Sequence, residues 1–156
     1  MSTVSLSELR RALRNIPADD LPDLCVRLAR YKKENKELLS YLLFEADDEP
    51  EYIRKIKIEI DQQFSEINRS SPYLAKKNLR KVLNFTNQRI RYSGQKRTEV
   101  ELLIYFCNKF RRQAPFRNNL MIKNIYLRQV LRIKKTILTL HEDLQFDYGE
   151  EVKLLE

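Results

Sequence analysis

Glycine is almost absent from this chain, with 2 residues in 156. Sandwiches, barrels and Rossmann folds use many tight turns, so this scarcity disfavours them, and it leaves no room for a Gly-rich phosphate loop. Tryptophan is missing, and there is one histidine and a single pair of cysteines. A closed zinc site needs about four His or Cys ligands, and His141, Cys25 and Cys107 cannot supply them. The two cysteines stand in no metal or redox spacing. They are expected as buried free thiols in a reducing compartment. The longest apolar run, Leu102 to Cys107, falls far short of the roughly 20 residues of a membrane span. The first 14 residues, MSTVSLSELRRALR, have no apolar core of the signal-peptide kind. A cytoplasmic protein is the expectation. No segment alternates with period 2 for long enough to make a strand.

What remains is helix-forming sequence, 42% hydrophobic and 33% charged. Ser5 and Glu8 have capping-box spacing before a first helix near Leu6–Arg14, which Pro17 ends. Asp20 is placed to cap a second helix, with Pro22 in its first turn and Leu21, Leu24, Cys25 and Leu28 along one face. A third helix is expected near Glu34–Ala46 on Leu38, Leu39, Leu42 and Leu43. Asp48, Pro50 and Glu51 start a fourth, near Glu51–Ile67, whose stripe is Ile53, Ile56, Ile60, Phe64 and Ile67. Ser70-Ser71-Pro72 begins a fifth, near Pro72–Tyr92, with Ala75, Leu79, Val82, Leu83, Thr86 and Ile90 on one face and Gly94 as a left-handed cap. Thr98 and Glu101 suggest a capping box for a sixth helix, apolar nearly all round from Val100 to Phe110 and so the most buried. Pro115 ends it. A seventh is expected near Asn119–Gln145 on Ile122, Ile125, Tyr126, Val130, Ile133, Ile137 and Leu140. A second row, Leu120, Leu127, Leu131 and Leu138, would widen its face. Residues 146–156 are acidic, either a loose tail or a short capping helix.

The expected fold is therefore all-α, with about seven helices in a single domain over residues 1–145. Arg30-Tyr31 recurs as Arg91-Tyr92, Glu37-Leu38-Leu39 as Glu101-Leu102-Leu103, and Pro50 as Pro115, at offsets of 61, 64 and 65 residues. These short matches mark either a duplicated three-helix unit, 20–67 and 72–141, or chance. Duplication would favour stacked hairpins, a short solenoid of the armadillo or HEAT type, over a compact bundle.

Charge is the most informative feature. Residues 52–140 hold 21 Lys/Arg and 5 Asp/Glu, while 1–51 and 141–156 are net acidic. On the fifth helix Lys77, Lys81, Asn84, Gln88 and Arg91 step along the side opposite the apolar stripe, with Arg80 beside them. Lys123, Arg128, Arg132, Lys134 and Lys135 add to this from the seventh helix, and Lys109, Arg111, Arg112 and Arg117 from the segment before it. Such a face repels itself unless something acidic meets it. The candidate partner-binding residues are Lys77, Arg80, Lys81, Arg91, Arg128 and Arg132. An acidic protein partner is the first reading and sequence-nonspecific nucleic acid the second. Tyr73, Phe85, Tyr92, Phe116 and Tyr126 interleave with the cations as stacking platforms would, or as core. No helix-turn-helix, zinc-finger or RRM signature is present. The wide apolar faces of the sixth and seventh helices suit a homodimer interface as readily as a monomer core.

Catalytic chemistry is poorly represented. His141, Glu142 and Asp143 are consecutive and share no helix face. The run Glu45–Glu51 lacks the alternate-ligand spacing of a calcium loop, and Glu59, Asp61 and Glu66 read as ordinary solvated charge. No enzyme activity, cofactor or metal is expected; the chain reads as a non-catalytic interaction module.

Overall fold

The computed structural model describes residues 2–156. All its regular structure is helical: α1 (Leu6–Asn15), a 3-10 turn (Ala18–Asp20), α2 (Leu21–Tyr31), α3 (Lys33–Phe44), α4 (Glu49–Ser65), α5 (Pro72–Ser93), α6 (Lys96–Gln113), α7 (Leu120–Ile137) and α8 (Glu142–Lys153). The chain is all-α. It divides into two compact units, one ending at Phe44 and one spanning Glu45–Glu156. The division falls inside the first of the two matching stretches, 20–67.

In the first unit the capping box at α1 forms as spaced. The Ser5 amide donates to Glu8 Oε2 at 2.8 Å and the Glu8 amide to Ser5 Oγ at 3.2 Å. Those bonds, the backbone one foremost, hold the Glu8 carboxyl below its usual pKa. Asp20 does not cap α2. It already has helical φ and ψ at the end of the 3-10 turn, whereas a capping side chain needs an extended backbone to reach the next amides. α2 and α3 pack as a hairpin, tied by Asn35 Nδ2 donating to the Leu28 carbonyl at 2.8 Å. Two helices cannot enclose a core between them. Only Tyr41 is buried among the described residues of this unit, and Cys25, expected inside, is exposed.

The second unit is a bundle built round α6. That helix touches α4, α5, α7 and α8, and Val100, Leu102, Leu103, Phe106 and Cys107 on it are 0% exposed. A helix apolar on every side needs neighbours on every side, and this is the arrangement that supplies them. Ile60 and Phe64 from α4, Leu79 from α5 and Ile122 and Ile133 from α7 complete the core. Phe64, Phe106, Phe110 and Tyr126 run through it with ring centroids 5.5, 6.3 and 5.3 Å apart. Asp48 and Ser71 cap α4 and α5, and Gly94 ends α5 at φ 69°, a conformation open to glycine at little cost.

In this unit two expectations change. Thr98 does not cap α6, which starts two residues earlier; its buried hydroxyl donates instead to Glu49 Oε1 at 2.6 Å. α7 stops at Ile137 rather than Gln145. The chain turns through Leu138–Leu140, and His141 caps α8, its Nδ1 accepting from the Asp143 amide at 3.3 Å. Glu142 and Asp143 then sit in a helix first turn, where the dipole favours acids. Residues 146–156 take the helical alternative: Tyr148, Val152 and Leu155 are buried, and α8 packs on α6 and α7.

Candidate basic interaction face

α5 and α7 lie side by side, both packed on α6. The apolar stripe of α5 faces inward, which turns Lys77, Arg80, Lys81 and Arg91 to solvent. Tyr73, Lys76, Lys77, Asn78, Arg80, Lys81 and Asn84 line a continuous shallow trough along the first half of the helix, and Tyr73 is 75% exposed. Among the described residues, Lys77, Arg80, Lys81, Arg91 and Arg128 pair with no carboxylate.

Arg132 sits differently. Its Nε donates to Glu99 Oε1 at 2.8 Å and its Nη1 to Asn87 Oδ1 at 2.5 Å. One guanidinium thus ties α5, α6 and α7 together. Glu99 is 7% exposed and also receives Thr136 Oγ1 at 3.3 Å and, on its other oxygen, Lys96 Nζ at 3.3 Å. Burial pushes the Glu99 carboxyl up, but Arg132 and Lys96 together outweigh it and hold the pKa below the ordinary value. This tie escaped sequence reading because its members are dozens of residues apart. The only sequence signal is an acid beside the apolar run of α6 in a region poor in acids.

Arg128 precedes Arg132 by one turn and stays exposed. Beside it the second leucine row of α7 is not core. Leu120, Leu127, Leu131 and Leu138 are 69, 43, 59 and 73% exposed. They form a stripe along the solvent side of α7, next to Arg128 and Lys135.

The aromatics separate into two groups. Tyr92 is buried, and Tyr126 is half-buried with its hydroxyl donating to the Leu155 carbonyl. Phe85 is covered by the Arg89 guanidinium, 4.9 Å from the ring centroid. Tyr73 and Phe116 remain available.

A second group of titratable side chains lies between α4, α6 and α8, around a cleft of about 420 Å³. There Tyr148 donates to Glu101 Oε1 at 2.6 Å and accepts from Arg97 Nε at 3.1 Å. Tyr105 donates to Asp61 Oδ1 at 2.7 Å, and Lys109 Nζ meets the same oxygen at 2.8 Å. Burial, with the carboxylate partner second, pushes both phenols up to about 12. At neutral pH they are fixed hydrogen-bond donors that fasten α8 and α4 to α6. Asp61 is thereby engaged, while Glu59 and Glu66 stay on the surface. No group of three or more His, Cys, Asp or Glu side chains among the described residues could hold a metal ion. No described helix is long and apolar enough to cross a membrane. Comparison with protein-family models, curated proteins and solved structures finds no match to this chain.

Proposed function

We propose that this protein is a non-catalytic interaction module that binds an acidic protein partner across α5 and α7. The observation that carries the reading is the leucine stripe Leu120, Leu127, Leu131 and Leu138 beside exposed cations. Apolar side chains exposed in a row cost free energy until they are covered, and phosphates do not cover leucine. A protein partner can bury the stripe and meet Lys77, Arg80, Lys81, Arg91 and Arg128 with carboxylates. Like charge on both sides disfavours a second copy of this face.

Exposed Tyr73 among Lys76, Lys77, Arg80 and Lys81 favours a second reading, sequence-nonspecific nucleic acid, because an aromatic set among cations stacks bases. Two variants separate the readings: K77E/R80E/K81E, and L127D/L131D. Proteins captured by the wild type are identified, purified and titrated against all three forms. Loss of affinity in both variants is the result expected of an acidic protein partner. If instead single-stranded oligonucleotides bind with a log–log salt slope of about −0.7 per phosphate, and only the charge reversal abolishes it, nucleic acid replaces the protein reading.

A further inference from the structure

At one end of the second unit four cations line a cleft of about 930 Å³, whose rim at Pro72 adjoins Tyr73 of the α5 trough. Arg69 reaches it from the α4–α5 connection, Arg111 from the end of α6, Arg117 from the α6–α7 loop and Lys123 from α7. No carboxylate lines it. The three arginines are each held by a main-chain carbonyl. Arg54, Arg97 and Arg132 are each paired with a glutamate. Arg69 donates to the Gln113 carbonyl at 2.9 Å, Arg111 to the Leu154 carbonyl and Arg117 to the Arg111 carbonyl. A carbonyl orients a guanidinium without cancelling its charge and occupies one of its five N–H donors. The remaining donors keep the planar fork shape that matches phosphate. The side-chain carboxylate of Glu156, near in sequence to Leu154, pairs with Lys134.

The same cleft carries an aromatic ring in an unusual setting. Phe116 is 39% exposed and has φ 54°, a region that bulky side chains rarely enter. The stacked Phe110 and Tyr126 rings, 5.3 Å apart, form part of the wall beside it.

We infer that this cleft is a binding site for a nucleoside phosphate, its phosphates on Arg69, Arg111 and Arg117 and its base against Phe116. The class follows from the pairing of guanidinium forks that meet no carboxylate with an exposed ring in one cavity. Phosphate alone would leave Phe116 without use, and an apolar ligand would leave the arginines so. The volume lies at the upper end of the range of small-ligand pockets, roughly 300–1,000 Å³. Two sources share this chemistry, a free nucleotide and the phosphorylated end of a single strand.

The test is a titration of the isotopically labelled full chain, followed by NMR, with ATP, inorganic tripolyphosphate and a 5′-phosphorylated oligothymidine. ATP should shift Phe116, Arg69 and Arg117 resonances. R69A and R117A should each weaken it roughly tenfold or more, as loss of a charge-assisted bond does. Phe116→Gly separates stacking from fold: it relieves the backbone while removing the ring. It should keep or raise the melting temperature, weaken ATP roughly fivefold or more and leave tripolyphosphate unchanged. An oligonucleotide bound much more tightly than ATP, through the same arginines, assigns the strand end; ATP bound as tightly assigns the free nucleotide. Tripolyphosphate binding as well as ATP with F116G indifferent, or no shift at these residues with any ligand, overturns the inference.

Discussion

Two cysteines and one glutamate show how far a single position can be read. Apolar neighbours on a helix suggested burial for both thiols, yet burial depends on what packs against that helix. Cys107 lies on α6, enclosed by other helices, and burial pushes its thiol up to about 12. Cys25 lies on a two-helix layer and is exposed. A thiol-alkylating reagent at neutral pH should therefore modify one cysteine of the native chain, Cys25, and both after denaturation; mass spectrometry of the peptides would check this. Glu99 is the opposite case, a residue with no sequence motif that joins three helices through Arg132. Glu99→Gln should destabilise the chain by about 2 kcal/mol in urea denaturation, because Arg132 loses its charged partner. The sign with pH also follows. A carboxyl whose folded pKa is depressed contributes stability above its unfolded value, about 4.3, and loses it as pH falls through the folded value. Acidification below that point should thus narrow the gap between the wild type and Glu99→Gln.

At the scale of elements, what the sequence shows is where helices start and which side is apolar. α4 and α5 carry a cap, a proline in the first turn and one clean stripe, and their limits could be read to within two residues. α6 could be recognised as central because it is apolar all round. α7 misleads in two ways. Neither proline nor glycine lies between Leu138 and His141, so nothing local announces the turn; it arises because Tyr148, Val152 and Leu155 are buried only if the chain doubles back. The row Leu120–Leu138 has helical spacing, but spacing cannot tell a covered face from an open one. Basic positions on α5 were legible for the same reason as its stripe, since one side of a helix fixes the other. Arg132 was not, because its partner sits on another helix. The role of α8 is testable. Leu155→Ala should cost about 2–3 kcal/mol by the loss of buried methyls, whereas Leu154→Ala, one position away and 73% exposed, should change stability by less than about 0.5 kcal/mol.

Across the whole molecule, apolar burial is unevenly shared. The unit Glu45–Glu156 holds nearly all of the buried side chains, whereas the unit ending at Phe44 holds Tyr41. Leu6, Leu28, Leu42, Leu43 and Phe44 are each more than half exposed there. Local opening follows the apolar contact that must be broken, so protection from hydrogen exchange should be graded rather than uniform. Amides of α6, whose neighbours surround it, should exchange last and report the global unfolding free energy. Those of α1, α2 and α3 should exchange orders of magnitude faster, through openings that leave α6 intact. Exchange measured residue by residue would decide the matter. Equal protection in α2 and α6 would mean that the helices before Phe44 unfold only with the rest of the chain, and that their stability comes from more than the side chains they bury.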